Sequence, residues 1–140
     1  MGMYYVSGNH VLGSTITTSD DAAPDAIYGD TGYLSNKRQS YPYRFTAKVD
    51  NWIKIDLGDA VTKLTFAGIF NHNFDSGVTI KLRANGVDLG NLAAWQAGPV
   101  GFETTLVYKS HNMGKWDFDE TFQWWHIEID DAANAVMPEI

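Results

Sequence analysis

An all-β fold, an antiparallel β-sandwich of jelly-roll type, is what this sequence predicts, and three observations predict it. The first is period: Ile53, Ile55 and Leu57 alternate with Lys54 and Asp56, Val78, Ile80 and Leu82 with Thr79 and Lys81, and Trp125, Ile127 and Ile129 with His126 and Glu128. Side chains of a strand point to opposite faces in turn, so each run has one face for a core and one for water. The second is punctuation, because Asp50-Asn51, Leu57-Gly58-Asp59, Asp75-Ser76-Gly77 and Asn85-Gly86 separate the apolar runs with turn-forming residues. The third is composition: 44% apolar and 14% aromatic residues, only 19% charged, and 13 glycines describe a folded, turn-rich chain.

Taken in order, strands are expected at Val11–Thr18, Tyr43–Val49, Ile53–Leu57, Val61–Phe70, Val78–Leu82, Glu103–Tyr108 and Trp125–Ile129. No stretch keeps a helical period over three turns. The best helical segment is Asn91–Ala97, a turn or two closed by Gly98-Pro99. Two irregular stretches, Ser19–Tyr41 and Ser110–Glu120, are long for a compact domain, and such loops are functional or tied down by packing. With 140 residues and no repeat, linker or low-complexity tract, residues 1–140 read as a single β-sandwich domain.

The net charge of -7 is unevenly placed. The last basic residue is Lys115, and Asp117, Asp119, Glu120, Glu128, Asp130, Asp131 and Glu139 all follow it. Up to that point acids and bases balance, so the expectation is one strongly acidic region that meets Lys and Arg of any partner it docks to. Nonspecific nucleic-acid binding is disfavoured and no nucleic-acid partner is expected, because phosphate binding needs clustered Lys and Arg and only Lys37-Arg38 is an adjacent basic pair. Binding to an anionic membrane surface is disfavoured on the same ground, and no apolar run nears the ~20 residues of a membrane span, so no membrane insertion is expected. With no cysteine there are no disulfides, thiolate metal sites or cysteine nucleophiles. Met1-Gly2-Met3-Tyr4-Tyr5 lacks the basic and apolar regions of a secretory signal, so no signal peptide is expected.

One segment is more specific than the rest. Asn51-Trp52-Ile53-Lys54-Ile55-Asp56-Leu57-Gly58 resembles a strand of galactose-binding-domain-like jelly rolls, the discoidin or coagulation-factor type C group. Ala67–Phe74 with its Asn71-His72-Asn73 turn, followed by Ser76–Leu82, is similar to the bacteriophage branch of that group. Tyr28-Gly29-Asp30, Tyr43-Arg44-Phe45 and Trp124–Asn134 resemble further parts of it. Members continue past the acidic turn with an Ile-Gly strand, where this chain has Met137-Pro138-Glu139-Ile140, so a shortened final strand or a truncated or variant member is expected. The resemblance implies a bacteriophage virion protein of the tail, fibre or decoration class. It would be assembled in the host cytoplasm, with virion proteins or copies of itself as partners.

The candidate site residues follow from chemistry. Tyr33, Tyr41, Trp95, Trp116 and Phe118 fall outside the clear strands. Tyr33, Asn36, Arg38, His72 and Trp116 would make a ligand-binding set if the loops converge, aromatic rings stacking on sugar C–H faces and polar groups gripping hydroxyls. The competing readings are that Trp95 and Trp116 plug the ends of the core, or that they are buried against another subunit. His72, beside Asn73 and Asp75, also reads as a turn histidine bonded to the local backbone. His126 reads as a solvent-facing cross-strand neighbour of Glu128. No cofactor is expected and no metal site is assigned; a structural calcium ion has two candidate loops, Asp117-Asp119-Glu120 and Asp25-Asp30. No catalytic set is evident. The expectation is therefore a non-enzymatic binding or structural module acting by surface recognition in a virion, with a carbohydrate-binding module for a cell-surface glycan as the alternative.

Overall fold

A computed structural model describes residues 14–35, 42–59, 63–70, 72–110, 112–115 and 117–140. Among these residues the chain forms β1 (Thr15–Thr18), α1 (Gly32–Ser35), β2 (Asn51–Asp56), β3 (Ala67–Phe70), β4 (Thr79–Asn85), α2 (Leu92–Ala97), β5 (Phe102–Leu106), β6 (Asn112–Lys115) and β7 (Trp124–Asp130). One antiparallel sheet runs β1-β2-β7-β4-β5 and a second pairs β3 with β6. The all-β sandwich is the fold.

Alternation decides which residues enter the core. Ile53 and Ile55 of β2, Ile80 and Leu82 of β4, and Trp125 and Ile129 of β7 are buried, and their sheet packs on Ile69 and Met113 of the small one. Tyr43, Phe45 and Phe74 complete the core from the loops, Tyr43 reaching Thr18 with its hydroxyl at 2.8 Å. Each such side chain contributes about 1.5–3 kcal/mol by leaving water.

Three segments differ from expectation. Tyr43–Val49 is held mainly at its start, where Tyr43 and Ile140 exchange backbone hydrogen bonds of 2.7 and 3.0 Å and Phe45 N–H donates to the Pro138 carbonyl. Pro138 has no N–H to return, so the ladder stays an isolated bridge between Arg44 and Glu139. Conversely, Asn112–Lys115 is a strand inside the stretch read as a loop, since its one large apolar residue, Met113, leaves no alternation to see. The expected Val61–Phe70 strand is confined to Ala67–Phe70, with Leu64 bridged to Glu120; residues 61 and 62 lie outside the described residues. The helix is where the sequence puts it: Asn91 caps α2 by accepting the Ala94 N–H at 3.0 Å, and Gly98-Pro99 end it.

The acidic excess does not form one exposed region. Asp131 is 1% exposed and accepts from the Asp75 N–H at 3.2 Å and the Asn134 amide at 2.7 Å. Glu128 and Glu139 are paired with Arg83 and Arg44, and Asp119 with Lys63. Folding returns the C-terminal strand and turn to basic residues far earlier in the chain, which a count along the sequence does not register.

Candidate functional site

The side of the five-stranded sheet that faces away from the core carries Trp52, Lys54 and Asp56 on β2, Trp124, His126 and Glu128 on β7, and Lys81 and Arg83 on β4. Register sets these side by side: Trp52 opposite Glu128, Lys54 opposite His126, Asp56 opposite Trp124, and Arg83 opposite His126 on the other flank. The connection between β4 and β5, residues 86–101, folds back as a strap over this face.

The strap is fastened by four contacts. Trp95 of α2, fully buried, lies on the His126 ring with centroids 5.0 Å apart and planes 17° from parallel. Gln96 donates to Glu128 at 2.7 Å. Asp88 accepts from Lys54 Nζ at 2.7 Å, and the Gly90 carbonyl lies 3.4 Å from the same ammonium. Beneath the strap, Arg83 is 2% exposed and its guanidinium is shared between Glu103 and Glu128. Burial works against charge on Glu128, but Arg83 and Gln96 outweigh it and hold its carboxyl below the usual range. Asp88 is held low in the same way, against burial, by Lys54 and the Gly90 N–H.

His126 is therefore not solvent-facing. Its ring is pressed between Trp95 and Trp52, the latter at 5.8 Å and 24°, and 1% of the residue is exposed. Burial first, and then the positive charges of Arg83 and Lys54, push its pKa down to about 4, so the imidazole is neutral near pH 7.

What stays open on this face is a strip along β2. Lys54 Nζ lies 5.9 Å from the Trp52 ring and 5.7 Å from the Trp124 ring, and both tryptophans are half-buried. The strap borders the strip on one side and Thr15 and Thr17 of β1 on the other. Asp56 spends Oδ1 on the Gly58 N–H at 2.8 Å and the Gln123 amide at 2.9 Å. Two aromatic faces, an oriented ammonium and a carboxylate oxygen thus meet on one rigid sheet surface. Such a surface can stack a flat apolar ring face and bond its polar rim.

The sequence-derived candidates that are described belong to other elements. His72 is buried: its Nδ1 accepts the Phe74 N–H at 3.2 Å, its ring stacks on Phe74 at 4.6 Å, and Tyr108 meets it at 6.0 Å. Tyr33 belongs to α1, in the loop between β1 and β2. Asn36, Arg38 and Trp116, like Tyr41, lie outside the described residues. Lys115 pairs with Ala67 while Asn112 pairs with Phe70, so Lys115 and His72 sit at opposite ends of the small sheet. Trp95 is a plug, on the outer face of the sheet rather than at an end of the core. Phe118 packs on Phe102 and Trp125 at 5.1 and 5.8 Å.

Of the calcium candidates, Asp25 accepts the Ile27 and Tyr28 N–H groups at 2.9 and 2.8 Å, which lower its pKa, and Asp30 accepts the Gly32 N–H. Asp119 turns to Lys63 at 2.9 Å. No group of three or more His, Asp or Glu able to hold a metal occurs among the described residues.

No protein-family model matches the chain, and no curated protein matches it in sequence. Among solved structures it is similar to a mutant of chitosan-binding module 1, derived from a chitosanase/glucanase of Paenibacillus sp. IK-5. The TM-score is 0.64 at 14% identity, over 94% of this chain and 92% of that one. At that identity the likeness establishes a shared β-sandwich fold across nearly the whole domain.

Proposed function

We propose that the chain is a non-enzymatic module that binds carbohydrate on the outer face of its five-stranded sheet. The observation that carries this reading is the placement of Trp52 and Trp124 on either side of Lys54. Sugar rings offer C–H faces to aromatic side chains and hydroxyls to a few fixed polar groups. Lys54, held by Asp88, and Asp56, held by Gln123, are such groups. The strip is open rather than enclosed, which suits one stretch of a longer glycan. The similarity in fold to a chitosan-binding module supports the reading.

The experiment is a glycan array followed by titration of the hits, read by tryptophan fluorescence. Trp52→Ala and Trp124→Ala should each weaken binding about tenfold or more, as expected for central aromatic anchors. No hits, and no fluorescence change with any sugar, would overturn the proposal.

A place in a bacteriophage virion is the second reading, and a specific observation favours it beside the resemblance. Several apolar side chains are exposed: Phe70, which closes β3, Val107, which follows β5, and Val136 and Met137, the latter accepting from the Asn73 amide through its carbonyl. Apolar surface of this kind suits contact with neighbouring protein chains. Sedimentation analysis as a strict monomer at high concentration would count against it.

A further inference from the structure

Asn85-Gly86 is the one place in the sequence where glycine follows asparagine; every other asparagine is followed by alanine or a bulkier residue. Asn85 ends β4, opposite Trp124 of β7, and Gly86 opens the strap. The strap returns to the same point, because the Gly101 N–H donates to the Ala84 carbonyl at 3.0 Å. Position 85 is thus the root of the strap.

The local geometry leaves free the groups of an intramolecular reaction. The Asn85 amide donates to the Val87 carbonyl at 3.2 Å in a solvent-exposed bond, which folds its side chain back along the two residues that follow it. The Gly86 N–H makes no hydrogen bond among the described residues, so no ladder has to be broken to release it. No heavy atom outside its chain neighbours lies within 4 Å of where a Gly86 Cβ would stand, so nothing shields the attacking nitrogen.

We propose that Asn85-Gly86 is a self-modifying site whose slow hydrolysis, through a cyclic imide, loosens the strap from the sheet. The Gly86 nitrogen gives its proton to hydroxide and bonds to Asn85 Cγ. The Cγ–Nδ2 bond breaks, and Nδ2 leaves as ammonia with a proton from water. Water then opens the five-membered imide. Breaking the N–Cγ bond leaves an aspartyl residue on the ordinary main chain. Breaking the bond to the main-chain carbonyl carbon leaves an isoaspartyl residue, whose main chain runs through Cγ and is one atom longer. Either product sets a carboxylate opposite Trp124. The second also lengthens the chain at the root of the strap, three residues before Asp88 must meet Lys54. The proposal stands apart from the carbohydrate reading, since it concerns the chain's own chemistry.

The test holds the full chain at mildly alkaline pH and physiological temperature, and follows it by intact mass and by peptide mapping that resolves isoaspartate. The mass should rise by the exchange of NH for O, with the product concentrated at position 85. Gly86→Ala has room for its methyl, which crowds the attacking nitrogen, and should slow the reaction about tenfold or more. The isoaspartyl form is separated chromatographically and compared with fresh protein by hydrogen exchange. Amides of residues 86–101 should exchange about tenfold faster, while those of β2 and β7 keep their protection. No gain in mass, an equal gain at the other asparagines, or an equal rate in Gly86→Ala overturns the site. Equal exchange of the strap in the two forms overturns its action on the strap.

Discussion

Replacing His126 by phenylalanine should remove a block of acid sensitivity from this domain. In the folded chain the ring lies between Trp52 and Trp95, and its pKa is pushed down to about 4; the ordinary value is 6.5. Between these values the unfolded chain binds a proton that the folded chain refuses, so stability falls as pH falls through the window. At about 1.4 kcal/mol per pKa unit, the full descent costs about 3 kcal/mol, a large part of a domain's marginal stability. The lowered carboxyls Asp25, Asp88 and Glu128 act in a separate window, their contribution being lost only as pH drops below about 4. Phenylalanine keeps an aromatic ring in the stack and gives up an Nδ1 that bonds no described residue. Urea unfolding of both proteins at steps between about pH 7 and 4 is the assay. The wild type should lose about 3 kcal/mol more than the variant over that range. Parallel losses in the two proteins would refute the reasoning.

Other substitutions probe the remaining internal contacts. Arg83→Met leaves Glu128 charged and half-buried without its partner; chemical denaturation should show a loss of about 3 kcal/mol, with the strap more open to proteolysis. Asp131→Ala removes the acceptor of the Asp75 N–H and the Asn134 amide and should cost about 2 kcal/mol, whereas exposed Asp130→Ala should cost under about 0.5 kcal/mol by the same assay. Gly101→Ala would place a methyl 2.4 Å from the Phe122 ring, and thermal unfolding should report a loss of about 1–3 kcal/mol.

The fold was legible wherever a strand keeps one wet face. β2 alternates cleanly, and in β4 and β7 the apolar positions Ile80, Leu82, Trp125 and Ile129 are buried as read, although Arg83 and His126 on the opposite face are buried too, beneath the strap. Alternation is lost where a strand has too few apolar residues to show it, as in β6 with Met113 as its one large apolar residue, or where proline interrupts the ladder, as at Pro138. The acidic excess misled for a related reason. Charge along a chain is not charge on a surface when Arg44, Lys63 and Arg83 come from distant segments to meet Glu139, Asp119 and Glu128.

The candidate surface was within reach of the sequence, although the loop aromatics stood out first. Aromatic residues outside strands drew attention because loops carry function, yet the period-two rule that sends Ile53 and Ile55 inward must send Trp52, Lys54 and Asp56 outward together. A tryptophan on the wet face of a strand costs apolar exposure and is worth explaining; here Trp52 and Trp124 share such a face. The strap could not be read in the same way, because its contacts join residues tens of positions apart. Asp88 meets Lys54 and Trp95 meets His126 only after β4, β7 and β2 have lined up. Those contacts also explain why the surface is suited to binding. They lock Lys54 and Trp52 in place before any ligand arrives, so little side-chain freedom is left to lose on association, and weak stacking contacts can then yield usable affinity.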